Sequence, residues 1–250
     1  MDQPPAVATE RLWLTEPRRS TCLARVVAVR GPAFALDRSL FAPTSRSHRH
    51  PQPHDQGTIW WEGEKRILVK VADRDGALWH ILRGVRPPVG TELNCHLDPD
   101  RRLLASRAHT AMHLMLKALG DAGAPPLVAD PEAKGGGNVR FELAAPVSPR
   151  LVADALAQAN HWVQAGAPVR REFIARGLEA KSLDAQRFQP PQPYPGPPDT
   201  LAVVRIEGVC AYPCDGTHVE RTSQVGRIVV AEARNRAGGA TLVAKVGARG

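Results

Sequence analysis

Aromatic residues are scarce in this chain, at 5% of 250 positions, and there are only four cysteines. So few cysteines in a chain this long exclude a disulfide-stapled scaffold. Only Cys210 and Cys214 are close in sequence; Cys22 and Cys95 stand apart. No stretch approaches the ~18 consecutive apolar residues of a membrane span, so no membrane partner is expected. The opening MDQPPAVATERLWL has no basic start followed by an apolar run, and so does not read as a signal peptide. These absences point to a soluble protein in a reducing, cytoplasmic setting.

Other features are plentiful. Pro (23) and Gly (21) favour many turns, and a hydrophobic content of 43% excludes a disordered chain. The length suits one large domain or two modest ones. Net charge is +8 and the sequence pI about 9.8. An excess of this sign attracts polyanions, nucleic acid above all. A solvated surface in an arginine-rich chain is the other reading.

Residues 1–100 read as β-rich. CLARVVAVR (Cys22–Arg30), RILVKVA (Arg66–Ala72) and ALWHIL (Ala77–Leu82) are strand-like, and Asp75-Gly76 joins the last two as a hairpin turn. Several short strands of this kind predict a small β-barrel. Ser45–Gly57, polar and basic, reads as a loop. A helix is expected from near Leu104, with Ala108, Met112, Met115 and Leu119 on one stripe and Gly120 as its stop. Ala124–Gly137 reads as loop, NVRFELA as strand and Pro149–Gly166 as a second helix. VRREFIA reads as strand, GLEAKSLDAQRF as a short helix and Pro191–Asp199 as an extended loop. LAVVRIEG is a strand, and a hairpin turned at Gly238-Gly239 closes the chain. The whole is expected to be α+β, with a barrel domain over 1–98 and a mixed domain over 99–250.

One constellation carries chemistry. His109 and His113 are four apart on the expected helix, so both imidazoles share a face. Cys214 and His218 repeat the spacing in a turn after a strand. Three imidazole nitrogens and one thiolate suit a single zinc ion. The pattern is not that of a zinc peptidase: Thr110 follows His109 where such a helix needs Glu. Cys-x-x-Cys pairs of zinc-finger type are also missing. Cys210 reads as a strand-end residue, and His161 as structural.

These residues carry a resemblance. RRLLASRAHTAMHLMLKAL (Arg101–Leu119) looks like the opening of the alanyl-tRNA synthetase editing domain, and CDGTHVERTSQVGRIVV (Cys214–Val230) resembles that domain's Cys-Gly-Gly-Thr-His-Val block. Free-standing proteins of this type are the AlaX trans-editing factors, whose longer members carry a translation-factor-like barrel before the editing domain. ARVVAV, LDRSLFAPTS and ILVKVADRDGALWHIL resemble that barrel. The resemblance implies zinc held by His109, His113, Cys214 and His218. It also implies hydrolysis of serine, and sometimes glycine, wrongly attached to alanine tRNA. The chain departs from the family twice. RHPQPHDQG keeps Gln52, Pro53, Asp55 and Gly57 of the Gly-rich loop, but replaces the preceding glycines with Ser47, His48, Arg49, His50 and Pro51. Asp215 stands where the family has Gly, either as a carboxylate bonded to a zinc ligand or as a solvated turn residue.

Expected roles follow from the chemistry of such a site. His109 and His113 sit at the chemistry with Gln52 and Thr110. Thr110, Gln52 and Thr217 are candidate partners for a serine hydroxyl, whose absence in alanine would leave a buried group unpaired. Arg46, Arg49, Arg101, Arg102 and Arg107 are candidate phosphate contacts on tRNA. Four protein ligands close a tetrahedral site, so catalysis at the metal needs one to yield, and His218 is the expected one. The rival reading is a non-catalytic RNA-binding protein with structural zinc; a third is hydrolysis of another aminoacyl ester or amide. No obligate protein partner is indicated. A chain of 250 residues has no room for an aminoacylation domain, so action in trans is expected.

Overall fold

Alternation of apolar and polar residues governs the first hundred residues of the computed structural model, which describes residues 8–44, 53–74, 77–131, 137–175 and 200–247. The elements are β1 (Glu10–Arg11), α1 (Leu12–Thr15), β2 (Thr21–Arg30), β3 (Ala33–Leu36), β4 (Arg38–Ser39), β5 (Gly57–Trp61), β6 (Glu64–Arg74), β7 (Ala77–Leu82) and β8 (Glu92–Leu97). Six strands close a barrel in the order β2-β3-β7-β6-β5-β8. With a side-chain period of two, β2 sends Cys22, Ala24 and Val26 inward while β8 sends Leu93, Cys95 and Leu97. Cys22 and Cys95 are directly opposed in the β2–β8 register, and both are free thiols. β6 and β7 pair as far as Arg74 and Ala77. The Asp75-Gly76 turn expected between them lies outside the described residues.

Two retained residues of the 52–57 stretch have structural work. A Cβ at Gly57 would lie 2.2 Å from the carbonyl oxygen of His96 and 2.7 Å from the Phe41 ring, so only glycine lets β5 approach β8 there. Asp55, 4% exposed, accepts a bond from the Ala42 backbone N–H (2.6 Å) and one from Arg102 Nε (2.9 Å). Arg102 Nη2 pairs with its other oxygen and donates to the carbonyl of Leu40 (2.7 Å). Pro53 and Asp55 are described; Gln52 lies outside the described residues.

His80 is fully buried between Phe34 and Phe41, with Nε2 2.9 Å from Ser39 Oγ. Burial pushes its pKa down to about 4. The folded state therefore holds a neutral ring, while the unfolded chain takes a proton near pH 6.5. This stabilisation is complete above pH 6.5 and disappears as pH falls towards 4. The loss should be about 3 kcal/mol. His80→Gln keeps a polar partner for Ser39 and removes the titration. Urea unfolding followed by tryptophan fluorescence at pH 7 and pH 4 should show the variant losing about 3 kcal/mol less than wild type. Equal losses would remove His80 as the cause.

From Leu103 onward the chain forms a second compact unit. It contains most of α2 (Pro99–Asp121), then β9 (Pro126–Pro131), β10 (Asn138–Leu143), α3 (Pro149–Ala165), β11 (Val169–Ala175), β12 (Thr200–Ile206), β13 (Cys210–Pro213), β14 (Ile228–Arg236) and β15 (Gly239–Val246). The strands make an antiparallel four-stranded sheet, β14-β15-β10-β9, and an antiparallel three-stranded sheet, β11-β12-β13. Met112, Leu114, Met115 and Leu119 of α2 are completely buried with Phe141 and Leu242, so the helix is covered on more than the single expected stripe.

Both ends of α2 differ from the sequence expectation. It begins at Pro99, five residues before Leu104, because Asp98 caps it: Asp98 Oδ1 accepts from the Arg101 N–H at 3.0 Å, and Pro99 supplies a helical φ. It passes through Gly120 and stops at Gly123 (φ +83°), where Ala124 N–H bonds Leu119 O and Gly123 N–H bonds Gly120 O. Within the stretch expected to be loop, Pro126–Pro131 is strand β9, held by β10. α3 is capped by Ser148 and closed by Gly166, near its expected bounds. The expected short helix GLEAKSLDAQRF and the Pro191–Asp199 loop lie outside the described residues. No helix among the described residues is long and apolar enough to cross a membrane.

Candidate metal centre

Helix periodicity stacks His109 over His113 on α2, with ring centroids 5.1 Å apart. The loop after β13 brings Cys214 and His218 to the same place, tied back by the Cys214 N–H to Ala202 O bond (2.9 Å). One ligand atom from each of the four residues lies within 4.8 Å of the others. Cys214 Sγ is 3.4 Å from His109 Nε2 and 3.2 Å from His218 Nε2. A tetrahedral zinc site has N···S edges of about 3.6 Å, given its metal–ligand distances. The donor set and spacing therefore fit such an ion, and the cluster can hold a metal. His109 and His113 are 2% and 1% exposed and Cys214 4%, with His218 partly exposed. The Tyr212 ring stacks on His113 at 5.4 Å.

Electrostatics agree. Burial, helped by the Asp215 carboxylate, pushes the Cys214 thiol up to about 12. Burial, with His109 and His113 alongside, pushes the His218 pKa well below the usual imidazole value. A dry pocket with three imidazoles and a thiol disfavours either charge by itself; a cation reverses this by stabilising the thiolate.

Hydroxyl groups behind the ligands set their orientation. Thr110 is completely buried. Its hydroxyl donates to Ser106 O (2.9 Å), accepts from the Val219 N–H (3.3 Å) and lies 3.2 Å from His218 Nδ1. Because the single hydroxyl proton goes to Ser106, Nδ1 of His218 is the donor, which leaves the Nε2 lone pair facing Cys214. Ser106 Oγ donates to Thr217 Oγ1 (3.0 Å), fixing the same loop. Arg171 of β11 donates through Nη2 to Gly216 O, and its charge acts on Cys214 and His218. Thr110→Val should weaken metal binding about 10- to 100-fold with the fold intact. Competition against a chromophoric chelator measures it, and unchanged affinity would remove Thr110 from this role.

Several expected site residues have other positions. Arg102 and Arg107 are each 7% exposed. Arg102 is bound to Asp55 and Leu40 O, and Arg107 donates to Val225 O (2.8 Å) and Gly247 O. Both guanidinium groups, expected as phosphate contacts, are engaged inside the fold. Thr110 and Thr217, the expected partners of a substrate hydroxyl, are buried and hydrogen-bonded within the fold. Asp215 is 7% exposed, so it is not a solvated turn residue. Arg101 is exposed. Gln52, Arg46 and Arg49 lie outside the described residues. Sequence reading missed Arg171, whose contact with Gly216 spans 45 residues without any local signal. A groove of about 690 Å³ beside α3, lined by Leu156, Asn160, His161, Gln164, Ser223 and Arg227, includes none of the four cluster residues.

Residues 201–241, which contain Cys214 and His218, match the second additional domain of threonyl and alanyl tRNA synthetases. An alanyl-tRNA editing protein AlaX-M of Pyrococcus horikoshii is 31% identical over 114 residues, covering 45% of this chain and 50% of that protein. The chain is a homologue of the AlaX-type alanyl-tRNA editing proteins. The AlaX-type likeness extends to the alanine–tRNA ligases. That of Korarchaeum cryptofilum is 30% identical over 231 residues, and that of Methanothermobacter thermautotrophicus 32% over 237. These alignments cover 90% and 88% of this chain but 25% and 24% of the ligases, so the chain spans about a quarter of their length.

Proposed function

We propose that the chain is a zinc-dependent aminoacyl-tRNA deacylase that removes serine, and also glycine, from mischarged alanine tRNA. Homology to AlaX-M and to the alanine–tRNA ligases supports alanyl-tRNA editing. The observation that carries the finer reading is the convergence of His109, His113, Cys214 and His218 within 4.8 Å. We assign the barrel domain to 1–98 and an α+β editing domain to 99–250. One zinc ion, tRNA as the partner and a cytoplasmic setting belong to the same reading.

An aminoacyl ester is already activated, so the site has to orient it and stabilise the oxyanion. When bound, zinc supplies Lewis acidity towards a carbonyl or a water. The chain supplies the rest. Thr110 keeps Nε2 of His218 aimed inward, which opposes the idea that His218 swings away. Arg171 holds the Gly216 carbonyl and places a positive charge beside Cys214 and His218. His218, the one partly exposed member, marks the side from which an ester would approach. The closed four-residue donor set equally supports the second reading, a non-catalytic RNA-binding protein with structural zinc.

Deacylation of Ser-tRNA(Ala), with Ala-tRNA(Ala) as control, separates the two. The expected result is release of serine, sparing of alanine and a His109→Ala, His113→Ala double variant that folds but is inactive. A zinc-loaded wild type that hydrolyses neither Ser-tRNA(Ala) nor Gly-tRNA(Ala) would favour the RNA-binding reading.

A further inference from the structure

We propose that the outer face of the barrel strands β2, β8, β5 and β6 is an RNA-docking surface, with Trp60 as a stacking platform for an unpaired base. The proposal rests on RNA being the partner, but not on ester hydrolysis.

Strand register assembles the face. Leu23 is opposite Asn94, Asn94 opposite Trp60, and Trp60 opposite Lys65. In the neighbouring row Thr21 is opposite His96, His96 opposite Thr58, and Thr58 opposite Ile67. The Arg83 N–H bonds Ile67 O at 2.9 Å, which extends that row by one residue. The alternate residues Cys22, Cys95, Ile59 and Leu68 are buried, so both rows point outward.

The chemistry of the face is unusual for a barrel exterior. Leu23, Trp60, Ile67 and Val69 are 58%, 39%, 47% and 48% exposed, although large aromatics are rare in this chain. Neither row contains an acidic residue, and both end in a cation, Lys65 or Arg83. Neither of these cations makes an ion pair among the described residues. Lys65 Nζ lies 5.9 Å from the Trp60 ring centroid, and the His96 ring lies 6.3 Å away, tilted at 58°. Glu92, the next outward residue of β8, is exposed but pairs with Arg25 at 3.8 Å. An exposed indole beside Lys65, on two rows without a carboxylate, matches the requirements of unpaired RNA: a π-face for the base and positive charge for the phosphates. An apolar partner protein would gain nothing from the unpaired cations, so the charge pattern selects RNA.

Binding of uncharged tRNA, measured by filter retention at several salt concentrations, tests this with the full zinc-loaded chain. Trp60→Ala should weaken binding about tenfold, while Trp60→Phe keeps it within about threefold because a phenyl ring still stacks. Lys65→Glu with Arg83→Glu should flatten the slope of log K against log salt by about one to two units. In turnover assays Trp60→Ala should raise KM and leave kcat unchanged. Wild-type affinity and slope in both Trp60→Ala and the charge-reversed pair would overturn the proposal, as would a wild type that binds no tRNA. Failure of hydrolysis alone would appear only in the deacylation assay and would leave the binding comparison readable.

Discussion

Cys214→Ser will lower zinc affinity by at least about 100-fold. Structural zinc in small domains contributes roughly 10–16 kcal/mol, so four ligands share about 3 kcal/mol each, a little over two decades in Kd. Serine retains the volume but its hydroxyl does not ionise to a soft anion. The effect extends to stability. An ion that binds only the folded chain adds about 4 kcal/mol at a thousand times its Kd but only about 1.4 kcal/mol at ten times, so the same zinc level should raise the wild-type unfolding midpoint about three times as far as the variant's, or further. Proton competition gives a second signature. Burial pushes the metal-free Cys214 thiol up to about 12, so it is protonated near neutral pH and metal entry there displaces its proton. Affinity should fall about tenfold for each pH unit lowered. Equal zinc affinity in wild type and Cys214→Ser would refute the metal centre.

Asp55→Ala should destabilise the barrel by about 3–5 kcal/mol, because it leaves the Arg102 guanidinium buried without a counter-charge. The remaining acceptors, Leu40 O and Pro17 O, are neutral. The Ala42 N–H also loses its 2.6 Å partner. Adding Arg102→Met removes the stranded charge and should recover much of the loss, since a well-packed apolar replacement of a buried pair is often close to neutral. Urea unfolding read by tryptophan fluorescence suits the measurement, because Trp13, Trp60, Trp61 and Trp79 lie in the barrel unit and only Trp162 lies in the other. A change below about 0.5 kcal/mol in Asp55→Ala would mean that the pair is dispensable.

The two residue pairs at the metal centre were legible because their spacing is a local property. An i, i+4 histidine pair shares a helix face wherever the helix goes. The charged residues were not legible in the same way. Arg102 and Arg107 read as surface cations because their partners, Asp55 and Val225 O, lie 47 and 118 residues away. Arg171 was overlooked for the same reason. Barrel strands with strict alternation were visible, whereas β9 was not: Pro125-Pro126 looks like loop, and Leu127 and Val128 stay 54% and 40% exposed, so burial left no pattern there. The end of α2 was misplaced because Gly120 sits inside the helix and the left-handed residue that ends it is Gly123.

All four thiols of the chain are sealed from solvent. Each is thereby a clock. A bulky alkylating reagent marks a cysteine only when the surrounding structure opens, so the time course at each position, read by peptide mass, counts openings there. Cys22 and Cys95 keep time for the barrel, and Cys210 for the second unit. Cys214 sits among the histidines, and its rate would change with metal loading while Cys210 continued to report the fold around it. Occupancy and unfolding could thus be followed in one native tube, without any engineered label.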